Sequence, residues 1–126
     1  YLPLHEADHR ANEGGKDAEI GKFLLSAAKN ENAVVRRQAA VAIGSTWNKT
    51  LDGAVDAEIK LMKDSDNEVR KAAYEYAGHL GDDRVVAPIS EMLKNEADAD
   101  LHSSGVRGLV WLWYDYPSHE NTVRRS

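Results

Sequence analysis

The chain has 126 residues, 42% of them hydrophobic and 29% charged, with a mean hydropathy of −0.57; this fits one domain with its own core, and no apolar run approaches the ~20 residues a membrane-spanning helix needs. Lys and Arg number 16 against 21 Asp and Glu, a formal charge of −5 that makes a polyanion such as nucleic acid a poor match. The absence of Cys excludes disulfides, thiolate metal ligands and cysteine nucleophiles, and it leaves the compartment open.

The chain opens on Tyr1 without a basic stretch leading into an apolar one, so a processed protein or a piece of a longer one is expected. Leu2, Leu4, Ala7 and Ala11, closed by Gly14-Gly15, predict a partial helix or cap over 1–16. From there, helical spacing of apolar residues predicts pairs of helices. The first helix of each pair carries Ile20, Phe23 and Leu24; then Leu51, Val55, Ile59 and Met62; then Val85, Ile89, Met92 and Leu93. The second carries Val35, Ala39 and Ile43; then Val69, Ala73 and Ala77; then Leu101, Gly105 and Leu109, with small residues at mid-stripe for close helix approach. Between paired helices stand Lys29-Asn30-Glu31-Asn32, Lys63-Asp64-Ser65-Asp66 and Lys94-Asn95-Glu96-Ala97-Asp98. Asx side chains there can cap the next helix, and Lys suits the negative end of the previous one.

These pairs are copies of one unit. Val35 to Gly44 recurs as Val69 to Gly78, 34 residues on, and a weaker copy begins at Leu101, 32 residues further. The expected units are about 17–50, 51–82 and 83–116. Gly78 and Gly81-Asp82-Asp83 supply the stop and turn before the third, and Pro88 falls in a first helical turn, where its missing N–H costs little. Residues 117–126 would cap the stack or start another unit, and the run Trp111 to Tyr116 would lay aromatic rings over its end. Asn48-Lys49-Thr50 is a glycosylation sequon that matters only on a secretory route. With no strand pattern competing, the predicted fold is an all-α superhelix, a solenoid of about three helical hairpins.

Gly81-Asp82-Asp83-Arg84-Val85-Val86-Ala87-Pro88-Ile89, with Met92-Leu93-Lys94-Asn95, resembles HEAT repeats, particularly the short HEAT-like repeats of the bilin-lyase type. Asp64 to Val69-Arg70 to Ala73, and Asn30 to Val35-Arg36 to Ala39, reinforce it, and the resemblance spans about 17–116. It implies a stacked solenoid and a bacterial origin. It also implies a ladder of Asp and Arg six residues apart that runs between neighbouring repeats: Asp64 with Arg70, and Asn30, neutral here, with Arg36. The third unit has Asn95 and Leu101-His102 instead, so the ladder is expected to stop before it.

Several chemistries compete with this pattern. His5-Glu6-Ala7-Asp8-His9 matches H-E-x-x-H, whose two His would share a helix face and could hold zinc. Asp8 inside the motif, the lack of a third ligand beyond Glu13 or Glu19, and its place at the chain's edge favour a solvated terminal helix. HEAT-like hydroxylases hold metal on His-Glu pairs inside the repeats, whereas His5-Glu6 and His119-Glu120 lie outside them. HEAT-like DNA glycosylases use aromatic residues and a carboxylate in a basic concave channel; Trp111 and Asp115 lie one turn apart with Arg107 a turn before them, yet the net charge opposes a duplex and a packed aromatic end is favoured. Gly14-Gly15 and Gly105-x-x-Gly108 lack a phosphate loop's strand and Lys, and Ser103 and Ser104 lack a base.

What remains is recognition by the second helices. On a concave face their equivalent positions would stack in columns: Arg37, Lys71, Ser103; Val41, Glu75, Arg107; Ser45, His79, Trp111; with Tyr74 alongside. The expected function is a non-catalytic scaffold binding a protein or peptide through Arg37, Val41, Lys71, Tyr74, Glu75, His79, Arg107 and Trp111. No metal or cofactor is expected, and self-association through the solenoid ends is a further expectation. The alternatives are an accessory bilin-lyase or metal-dependent hydrolase activity, or a HEAT-like DNA-binding protein.

Overall fold

Short polar breaks cut the chain into helices of two to five turns. The computed structural model describes residues 13–45 and 51–115, and every long element among them is an α-helix. Three hairpins follow one another: α1 (Glu13–Ala27) with α2 (Ala33–Ser45), α3 (Ala54–Leu61) with α4 (Asn67–Ala77), and α5 (Val86–Asn95) with α6 (Ala99–Asp115). Two 3-10 turns, Gly78–Leu80 and Asp83–Val85, join the second hairpin to the third. No described helix is long and apolar enough to cross a membrane.

The second helices start where the Asx residues place them. Asn32 accepts from the Val34 N–H at 2.8 Å, Asp66 from Glu68 at 2.8 Å and Asp98 from Asp100 at 2.8 Å, so each hairpin turn is closed by the same cap. At the other end of the chain's third turn region, Gly81 takes a left-handed conformation at φ 66°, and Asp82 accepts from the Arg84 N–H at 2.8 Å. Gly14 and Gly15 stand inside α1 and do not close an earlier helix; glycine costs about 1 kcal/mol in a helix interior, which lowers propensity without breaking the helix. Residues 1–12 lie outside the described residues.

The buried stripe of the second helices is the predicted one: Ala39 and Ile43, then Val69, Ala73 and Ala77, then Leu101 and Gly105. In the first helices the register differs in places. Ile20 and Phe23 are 54% and 74% exposed, and α1 turns Gly21, Leu24 and Leu25 inward instead. In α3 the innermost positions are Ala54, Glu58, Leu61 and Met62, with Val55 and Ile59 at the margin. Val85, Ile89 and Met92 are buried as expected.

Packing is uneven across the stack. The most extensive helix contacts run α2 to α4 and α4 to α6, whereas the first helices of neighbouring hairpins scarcely touch. Glycine makes that closeness feasible. A Cβ on Gly44 would overlap the Tyr76 carbonyl, one on Gly108 the Tyr74 carbonyl, and one on Gly78 the Gly108 carbonyl. Gly78 itself has φ −61°, so it does not stop α4 by a left-handed turn; the neighbouring backbone is what demands it.

A second tie joins the first two hairpins. Arg36 donates two parallel hydrogen bonds to Asp64, Nε to Oδ2 at 2.8 Å and Nη2 to Oδ1 at 3.0 Å, and also donates to the carbonyls of Asn30 at 2.8 Å and Glu31 at 2.9 Å. Arg70 donates to the Asp64 carbonyl at 2.7 Å and to Asn67 Oδ1 at 2.7 Å. Thus the expected partners change: each Arg grips the backbone six residues before it, and the Asp64 carboxylate faces the previous hairpin's Arg36. In the third hairpin His102 Nε2 meets the Glu96 carbonyl, so the position continues with Glu96, not Asn95, in Asp64's place. Arg36 holds the Asp64 carboxyl below its ordinary range.

Candidate functional site

The columns expected on the second helices are partly assembled. Glu75 on α4 and Arg107 on α6 meet at 3.1 Å, and Arg107 also donates to Ser103 at 2.8 Å. One turn further along, the His79 ring packs on Trp111 with centroids 4.4 Å apart and on Tyr76 at 5.6 Å. Lys71 bonds Glu68 at 2.8 Å and lies 3.7 Å from Asp100 on α6. Its hydrogen bond to Glu68, with the charges of Glu68 and Asp100, raises the Lys71 pKa. The middle and last hairpins therefore meet in an alternating polar and aromatic seam, in which Glu75 with Arg107 and His79 with Trp111 are equivalent positions one repeat apart.

Not every predicted residue stands on that surface. Tyr74 is 8% exposed and belongs to the main core cluster, where loss of water pushes its phenol pKa up. Val41 is half-buried against the same cluster. Arg37 is exposed on α2, away from the seam. Trp111 is 41% exposed, and its neighbours Trp113 and Tyr114 are 59% and 67% exposed. Among the described residues of that run only Leu112 is buried.

The residue that sequence reasoning missed is Glu58. Its side chain is fully buried on α3, one turn after Ala54 of the smaller core cluster and one turn before Met62 of the larger one. Neither carboxyl oxygen has a hydrogen-bond partner among the described residues. Burial alone pushes its pKa well above the ordinary value of 4.5. The one available signal was its spacing: Ala54, Glu58 and Met62 step by four, like the apolar stripe itself.

His5, Glu6 and His9 lie outside the described residues, as do His119 and Glu120. No three His, Asp or Glu side chains among the described residues are grouped to hold a metal ion. In comparison with known proteins, the family model for HEAT repeats matches residues 21–109. No curated protein matches the chain.

Proposed function

The chain belongs to the HEAT-repeat family, and from that premise we propose that it is a non-catalytic scaffold, binding a protein or peptide on the face of its second helices. HEAT repeats generally mediate protein–protein interaction, so the family sets the class of function. The repeat units we assign are about 17–50, 51–82 and 83–116. The closeness of the second helices, against first helices that scarcely touch, supports a stack that curves toward the second helices.

The observation that carries this is the seam between α4 and α6, where Glu75 meets Arg107 at 3.1 Å and His79 meets Trp111 at 4.4 Å. Side chains already held by one another lose little freedom when a partner arrives, and half-exposed Trp and Arg are the residue types that anchor interfaces. We assign Arg37, Lys71, Glu75, His79, Arg107 and Trp111 to the binding face. Tyr74 supports it from within.

The test is affinity capture with the wild type and with an Arg37→Ala/Lys71→Ala/Trp111→Ala variant of unchanged melting temperature. Loss of the same partners from the variant is expected. An unchanged set of partners moves the site off this face.

A further inference from the structure

The same uneven packing leaves a groove on the other side of the molecule. Between α1 and α3, where the helices stand apart, lies a cleft of about 710 Å³. Leu25 and Ala28 of α1 and Ala57 and Leu61 of α3 give it a predominantly apolar floor. Three exposed lysines, Lys29, Lys60 and Lys63, stand among its lining residues. The other charges in the lining are matched: Arg36 with Asp64 at 2.8 Å, and Asp56 with Arg84 at 3.6 Å. On a chain of net charge −5, this combination of apolar floor and lysine rim is a local reversal of sign.

We infer that the groove between α1 and α3 docks an amphipathic helix whose polar face is acidic. Charge complementarity selects the occupant: carboxylates flanking the apolar face reach Lys29, Lys60 and Lys63, while a basic helix would meet like charge. The dimensions suit it as well. The eight residues of α3 run about 12 Å, enough to bed apolar side chains one turn apart. This surface is separate from the second-helix face, so each can fail without the other.

The probe is a fluorescein-labelled synthetic helix of about 15 residues, with Leu at i and i+4 and Glu on the remaining face, titrated by fluorescence anisotropy. Saturable binding that weakens with salt is expected, and Lys60→Glu/Lys63→Glu should weaken it about tenfold. Ala57→Phe, which fills the floor from a half-buried site, should abolish it. Lys94→Glu, a single charge reversal on α5 and half the charge change of that double variant, should leave it unchanged, as should the Arg37→Ala/Lys71→Ala/Trp111→Ala variant. Thermal melts confirm that each variant is folded. The proposal is overturned if the acidic peptide does not saturate, if a Lys-for-Glu peptide binds equally well, or if the Lys60/Lys63 variant binds like wild type.

Discussion

Replacing Glu58 with Met should make the protein more stable at neutral pH, although the substitution removes a charged residue from a charge-rich chain. The carboxyl is fully buried and neither oxygen is bonded among the described residues. A buried polar group without a partner costs about 1–3 kcal/mol, and Met fills a similar volume with none. A pH-dependent cost adds to this. The folded-state pKa is raised above 4.5, so above that pH the unfolded chain has lost a proton that the folded chain still holds. Stability then falls as pH rises, by ~1 kcal/mol per pH unit, until the folded carboxyl ionises too; below 4.5 this cost is absent. Urea unfolding followed by far-ultraviolet circular dichroism, from acid to neutral pH, measures both effects. Glu58→Met should gain at least about 2 kcal/mol at neutral pH, a melting temperature roughly 5–10 °C higher, with a smaller advantage in acid. Glu58→Gln should lose the pH slope yet keep the unpartnered polar atoms, and so separate the two effects. A Glu58→Met protein no more stable than wild type, or an advantage that does not grow with pH, would refute the account of Glu58 as an unpaired buried acid.

Gly78→Ala and Gly108→Ala should each destabilise by about 1–3 kcal/mol in the same urea titration, because the added Cβ meets backbone carbonyl and no flexible side chain can yield. Gly53→Ala, at φ 85° but with only Leu25 side-chain atoms nearby, should cost less, about 1 kcal/mol. Asp64→Asn removes the carboxylate that Arg36 grips. The Asp64 pKa is lowered in the fold, so its stabilisation is present above the unfolded value near 3.8 and is lost as pH falls through the folded one; the Asn variant should melt lower at neutral pH and show a shallower acid transition. Arg107→Ala, at a half-exposed pair with Glu75, should change stability by no more than about 0.5 kcal/mol, and a larger loss would mean the seam is structural.

The repeat was legible because its signals are local. Val35, Val69 and Leu101 recur at nearly constant spacing, and Asn32, Asp66 and Asp98 cap their helices through N–H groups two residues on, which any reading of the chain can see. The partners of those residues were less legible. Arg36 and Asp64 lie 28 residues apart, and nothing in the spacing says whether an Arg turns to its own hairpin or to the next. Tyr74 reads from the sequence as a surface anchor because it stands beside the columns of second-helix positions. It is buried in the main core cluster, which draws on all three hairpins, Ala40, Met62 and Leu101 among them.

The starts of the second helices, the hairpin pairing and the inward stripe of the second helices were thus written in the amino-acid sequence, because capping and amphipathic spacing act within a few residues. The closeness of α2, α4 and α6, the opening between α1 and α3 and the burial of Glu58 were decided by tertiary structure. They depend on where one helix's glycine meets another's carbonyl and on which side of a short helix faces two clusters at once. Those contacts join residues that are distant along the chain, and a periodic pattern carries no record of the distance between helices.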